Sequence, residues 1–205
     1  MTKAIEVFLG DGSKSAQKKL AAVRESLAGI KLGYEAAVNR SLNRGARSGV
    51  SSAVKSIRQE YTAKAKTIRS HFSVELSKMD TLEAVVSAKG KQLPLSAFRF
   101  RPKTDTTGNA RKTVRVAVKN GGGLKPLGAT FVWKGRLLHR DTSKSLPLRD
   151  LKGPSIPQMA GNRDVVAEVE KTMLETFLKR LDHEVENILA QGVKGKNGGR
   201  IHGGD

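Results

Sequence analysis

Cysteine is absent from this chain of 205 residues. That excludes disulfides, thiolate metal sites and a cysteine nucleophile, and it agrees with synthesis in a reducing cytoplasm. Aromatic residues are scarce, at 4%, below what a large, densely packed globule usually carries. Long apolar runs are also missing: no stretch reaches the about 18 residues that a membrane-spanning helix needs. Met1 to Leu9 holds no apolar core long enough for a secretory signal. No internal repeat is found.

The usual catalytic patterns are missing too. His71, His139, His183 and His202 lie far apart, without metal-ligand spacing. His183, between Asp182 and Glu184, reads as a wet helix position. No GxxxxGK[ST] phosphate loop and no GxSxG elbow occurs. "GDG" at 10–12 and "NGGG" at 120–123 lack the strand, helix and lysine of an anion cradle. No clustered carboxylate pair calls for acid–base or metal-assisted hydrolysis. The expectation is a protein that is not an enzyme, with no metal, cofactor or small-molecule substrate.

Acidic residues are in deficit. Lys and Arg number 38 against 19 Asp and Glu, a net charge of +19. Such a balance predicts attraction to polyanions and says nothing about fold. Nucleic acid, an acidic protein surface and an anionic membrane all fit, and so does a merely solvated basic surface.

Periodicity organises the rest. Ile5, Val7 and Leu9 alternate as in a short strand, ended by Gly10-Asp11-Gly12. Ser13 or Ser15 can cap a following helix with the apolar stripe Leu20, Val23, Leu27 and Ile30. Gly29 and Gly33 mark a break. From about 31 to 61, Tyr34, Val38, Leu42, Ala46, Val50, Val54, Ile57 and Tyr61 recur every three or four residues. This predicts a helical rod of roughly 45 Å. Arg40, Arg44, Arg47, Lys55 and Arg58 share that spacing, offset by about 200° from the apolar stripe. Two roles fit this cationic stripe: the wet back of a core helix, or a contact with DNA or an acidic neighbour.

A shorter helical piece follows at 62–72, with Ile68 and Phe72 as packing residues. The period then drops to two. Segments 81–90, 96–103 and 111–120 read as strands, the last with Val114, Val116 and Val118 on one face. Segments 104–109 and 120–128 read as loops. "TFVWKGRLLHR" at 130–140 predicts a hairpin turning near Lys134-Gly135. Segment 145–151 is extended or an edge strand, because Pro147 cannot donate to a ladder. The last helix starts near Asn162 or Asp164, with Val165, Val169, Met173, Phe177, Leu181, Val185 and Ile188 as its stripe. Gly192 is the expected stop. The reading is therefore an α+β chain: N-terminal helices including one long helix, a central mostly antiparallel sheet, and a C-terminal amphipathic helix. Residues 1–191 form a single domain, and 192–205 a Gly-rich flexible arm.

Between sheet and last helix stands "LRDLKGPSIPQM" (148–159). Its Pro154 and Pro157 fix two φ angles. Gly153, Pro154, Ile156, Pro157 and Met159 are a candidate docking connector, in which Ile156 and Met159 seek an apolar groove. The groove can belong to the same chain, making the segment a brace, or to a neighbour. Together with the long helix "YEAAVNRSLNRGARSGVSSAVKSIRQEY" and "TAKAKTIRSHF", this stretch resembles the prophage minor tail protein Z family of tailed bacteriophages. It resembles the head–tail neck and tail-completion proteins more loosely. The resemblance spans about residues 4–190, and "LRDLKGPSIPQM" is its most specific part. The Gly-rich end does not fit the family pattern.

The resemblance implies a structural virion protein at the head-proximal end of the tail. It implies a subunit of a homo-hexameric ring, made in the host cytoplasm and touching the tail terminator and head–tail connector proteins, with genomic DNA in the channel as a further contact. No membrane partner is expected. A closed ring needs heterologous contacts between different faces of each subunit. The alternative is an architectural protein whose main role is binding nucleic acid. Against it, no zinc finger occurs and the few aromatics make no stacking platform.

Overall fold

Eleven short strands and five helices alternate along the computed structural model, which describes residues 5–8, 14–106, 113–142, 144 and 146–197. Strand β1 (Ile5–Phe8) precedes helices α1 (Lys14–Ser26), α2 (Gly33–Glu60) and α3 (Ala65–Arg69). Strands β2 (Phe72–Glu75), β3 (Val85–Ala88) and β4 (Gln92–Pro94) follow, then a 3-10 turn at Leu95–Ala97. Next come β5 (Arg99–Arg101), β6 (Val114–Ala117), β7 (Lys125–Leu127), β8 (Thr130–Trp133) and β9 (Arg136–Arg140). The chain finishes with β10 (Leu148–Asp150), β11 (Lys152–Ser155), α4 (Ile156–Ala160) and α5 (Arg163–Asn197). The fold is α+β. Its strands are shared among small sheets of order β1-β3-β2, β10-β9-β8, β11-β4 and β5-β6-β7.

Contacts divide the chain into two compact units. One gathers Ser51–Ser73 and Ser87–Glu168; the other gathers Glu6–Val50, Val74–Val86 and the chain from Val169. Both α2 and α5 run through the division, so each helix contributes a part to either unit.

The helical unit is built on i+4 repeats. On α2, Val38, Leu42, Ala46 and Val50 are buried as their spacing predicts. A second row beside them, Ala37, Ser41, Gly45 and Gly49, is buried as well. At Gly49 the residue is small because α5 comes close. A Cβ added at Gly49 would lie 2.5 Å from Sδ and 2.6 Å from Cγ of Met173, and Met173 is itself fully buried. A glycine inside a helix costs about 1 kcal/mol relative to alanine; here it makes room for a thioether. The Ser41 hydroxyl, which cannot reach water, donates to the Ala37 carbonyl at 2.6 Å. Asn43 reaches the loop after β2: its Oδ1 accepts from Ser77 N at 2.7 Å and its Nδ2 donates to Ser77 O at 3.1 Å. From α5, Val169, Met173, Phe177 and Leu181 fill the same core.

The strand-rich unit is antiparallel. Strand β6 is the centre of its sheet, pairing Val116 with Phe100 of β5 and with Lys125 of β7. Val114 and Val116 are buried and Arg115 is exposed, as alternation requires. Ala117, on the opposite face, is buried too, so this strand is covered further than a half-wet one. Strand β8 turns into β9 through Lys134 and Gly135, with φ of 48° and 74°. Two residues in the left-handed region are what a type I′ hairpin needs, and glycine takes the second at no steric cost. Strand β10 is an edge strand on β9, pairing Leu148 with Arg140.

Three expectations are corrected here. Segment 120–128 is not all loop, because Lys125–Leu127 pairs with β6. Pro126 is tolerated there because β7 is an edge. Segment 96–103 begins with a 3-10 turn and only three of its residues form strand. Helix α5 continues through Gly192 to Asn197; a single glycine lowers helix propensity without ending a helix. Of the expected arm, 198–205 lies outside the described residues, and so does Ser13 as a cap.

Candidate functional site

All five members of the cationic stripe are exposed: Arg40, Arg44, Arg47, Lys55 and Arg58. They share one helix but not one circumstance. Arg40 Nη1 is 3.1 Å from Glu184 Oε2, and Glu184 is buried, with 3% of its side chain exposed. Arg180, one turn before Glu184 on α5, holds the other carboxylate oxygen at 2.5 Å. A buried carboxylate needs such partners, since its own desolvation is costly. Arg40 therefore has a structural duty within its own chain. Arg44 stays exposed beside it in sequence, and Arg47 makes an interaction of its own.

Lys55 and Arg58 belong to the strand-rich unit, where the end of α2 is firmly held. Asn120 Nδ2 donates to the carbonyls of Arg58 at 2.8 Å and Gln59 at 3.0 Å, satisfying acceptors that a helix end leaves open. Asn120 N donates to Glu60 O at 2.7 Å. The Glu60 carboxylate takes Lys119 Nζ at 2.6 Å and Asn162 Nδ2 at 2.9 Å. Hydrogen bonding from Lys119 holds Glu60 below the usual carboxylate range, and the same bond raises Lys119. Burial, then the charge of Glu60, pushes the Tyr61 phenol up. Just past the helix, Thr62 Oγ1 donates to Ala117 O and accepts from Arg99 N at 3.0 Å. These bonds bring Lys64, Arg99 and Lys103 round to Arg58. No periodicity connects those positions, so sequence reading reached Arg58 alone.

The connector is ordered throughout, as strand followed by helix. Lys152 pairs with Pro94 and Ser155 with Gln92, with a bulge between them. Leu151 ties the connector to strand β9 and to the 3-10 turn, donating to Leu137 O at 3.2 Å and accepting from Leu95 N at 2.8 Å. Ser155 then caps α4: its Oγ accepts from Gln158 N at 3.3 Å, with Pro157 in the first turn. This is where a fixed φ and a missing N–H cost least. Gly153 lies against an aromatic ring, since a Cβ there would sit 2.8 Å from Phe98 Cε2. Ile156 and Met159 are fully buried, Pro157 is buried, and Gly153 and Pro154 are partly exposed. The groove sought by Ile156 and Met159 is thus inside their own chain. Ile156, Pro157 and Met159 serve as an internal brace, while Gly153 and Pro154 are partly exposed and Arg149, Lys152 and Gln158 are exposed.

Among the described residues, no group of three or more His, Asp or Glu could hold a metal ion. His71 is partly buried with Nδ1 at 2.8 Å from Thr67 O, and His183 is exposed; His202 lies outside the described residues. No described helix is long and apolar enough to cross a membrane. Comparison with family models, curated proteins and solved structures finds no match.

Proposed function

We propose that this chain is a structural virion protein of a tailed bacteriophage, a ring subunit at the head-proximal end of the tail that serves neck formation or tail completion. The observation that carries the reading is the stretch "LRDLKGPSIPQM", whose resemblance to the minor tail protein Z family is the most specific along the chain. Its ordered course supports the reading. A braced strand and a capped short helix, set between sheet and last helix, give a rigid mount for assembly contacts. A cationic stripe exposed on a long helix is suited to acidic patches of a neighbouring subunit, a tail terminator or a head–tail connector. Arg44 and Lys55 are exposed members of that stripe suited to the role.

Gel filtration with light scattering, followed by electron microscopy, tests the proposal. A closed ring of about six subunits, or incorporation into tails purified from infected cells, is the expected result. A subunit that stays monomeric at high concentration and is missing from purified virions would overturn it. The second reading, an architectural nucleic-acid-binding protein, is favoured by the charge of +19. It predicts a monomer that coats DNA at near-physiological salt.

A further inference from the structure

At the C-terminal end of α2 the chain folds around a cleft of about 390 Å³. Arg58, Lys64, Arg99 and Lys103 line it, beside Tyr61 and Thr62. Its volume lies at the low end of ligand-binding clefts, which run from about 300 to 1,000 Å³. No acidic residue is among its lining residues. Among the described residues, none of the four cations has a carboxylate partner. Glu60, the nearby acid in sequence, is already engaged by Lys119 and Asn162. We propose that this cleft is a binding site for the phosphodiester backbone of DNA.

Three observations argue for that occupant. First, the cations are positioned. The backbone that carries Arg99 is fixed by its amide N–H donating to Thr62 Oγ1, and Lys103 Nζ sits 3.5 Å from the centroid of the buried Phe100 ring. Cation and ring attract through the ring quadrupole, which holds the ammonium in place. Second, the charge on Lys103 is disfavoured where it sits: burial first, and then the charges of Lys64 and Arg101, lower its pKa. A surface with only structural duties gains nothing by collecting such charges, whereas an anion would relieve them. Third, four cations around one small cleft call for an anion of matching charge density. Duplex DNA supplies one charge per about 1.7 Å of axis, and the guanidinium forks of Arg58 and Arg99 match phosphate oxygens. This site is distinct from the Arg44, Arg47 and Lys55 stripe, and it stands whether or not the subunit forms a ring.

The test is a salt titration of binding to a short labelled DNA duplex by fluorescence anisotropy, using the full chain. The variants are Lys64→Ala/Arg99→Ala/Lys103→Ala in the cleft and Arg44→Ala/Arg47→Ala/Lys55→Ala on the stripe. Three lost phosphate contacts should reduce the slope of log affinity against log salt by about 2.7 and weaken binding on the order of tenfold or more at low salt. The stripe variant, which loses the same charge, should keep most of the slope. Equal losses in both variants would mean diffuse attraction and overturn the proposal, as would a cleft variant that binds like wild type. The cleft triple is checked by its melting curve. If it is unfolded, Lys64→Ala and Lys103→Ala singly, each expected to remove about 0.9 of slope, decide the matter. Competition assigns the ligand. Inorganic phosphate that protects the cleft while DNA does not displace it would make this a small-anion site. Polyglutamate that competes as well as DNA at equal charge would make it a site for acidic protein; either result overturns the DNA assignment.

Discussion

Arg40 and Arg44 are four residues apart on one helix face and both are exposed, yet they are not equivalent. Arg40 neutralises a carboxylate that its own chain has buried, while Arg44 lacks such a duty among the described ion pairs. Replacing Arg40 with Glu would set two carboxylates against each other and leave Arg180 as the sole counter-charge. A destabilisation of about 1–3 kcal/mol is expected, the scale of a lost charge-assisted hydrogen bond. Arg44→Glu should stay within about 0.5 kcal/mol of wild type, as most surface changes do. Thermal melts of the two variants at equal concentration check this; equal melting temperatures would mean that Glu184 does not depend on Arg40.

Glu60 gives a second residue-scale expectation, in its pH dependence. Its folded pKa is depressed by Lys119. The stabilisation it contributes is therefore present above its ordinary carboxylate pKa and lost as pH falls through the depressed value. Lys119 has a raised pKa, so its share is present below the ordinary lysine range and lost as pH rises through the raised value. The pair is thus fully formed at neutral pH. Melting temperatures of wild type and Glu60→Gln should differ by a constant amount near neutrality and converge in acid. Parallel curves down to the lowest pH would show that the contact contributes nothing.

At the scale of elements, the connector behaves as part of the core. Loss of the Ser155 cap should cost about 1 kcal/mol. Because Pro157 is buried with Ile156 and Met159, the double change Pro154→Ala/Pro157→Ala should lower stability and assembly together. Helical circular dichroism during melting, read beside light scattering of the same samples, separates the cases. Assembly lost from a subunit of unchanged stability would restore the segment as a docking surface.

Elements were also where the sequence was most and least readable. The stripe of α5 and the apolar row of α2 were legible because a helix writes its own period into its side chains. The hairpin at Lys134-Gly135 was legible because its turn demands a glycine. The burial of Ala37, Ser41, Gly45 and Gly49 is not legible in the sequence, because small residues carry little hydrophobic signal; at Gly49 it is the approach of Met173 on α5 that needs the missing side chain. Strand β7 was hidden by Pro126 and by the glycines before it, because an edge strand needs only one paired side. The partnership of Arg40 with Glu184 spans 144 residues, and the cleft joins α2 to strand β5 and the chain beyond it. No local pattern encodes a contact made by the chain's return.

For the whole molecule, the net charge of +19 divides, under the two proposals, among internal pairs, a proposed neighbouring subunit and a proposed DNA contact. Charge reversal at Arg44, Arg47 and Arg58 should lower stability only through the interaction that Arg47 makes, since Arg44 and Arg58 are exposed with no carboxylate partner among the described residues. It should impair assembly through the first two and flatten the salt dependence of DNA binding through the third. Ring formation by light scattering and the salt slope on DNA are separate readouts, so the two effects can be told apart. A triple variant that assembles and binds as wild type does would leave the stripe as a solvated face.

The hairpin of β8 and β9 carries one more consequence. The chain has a single tryptophan, and it sits where β8 enters the two-residue turn: Trp133, 38% exposed, with Lys134 Nζ 4.9 Å from its ring centroid. The protein therefore holds an intrinsic fluorophore at the rim of a sheet, in view of solvent and beside a cation. Its emission reports on that rim rather than on the core. A partner that covers the hairpin should shift the spectrum to the blue without any label, while one that docks elsewhere should leave the colour unchanged. The chain thus carries its own sensor for whether a partner has closed this edge.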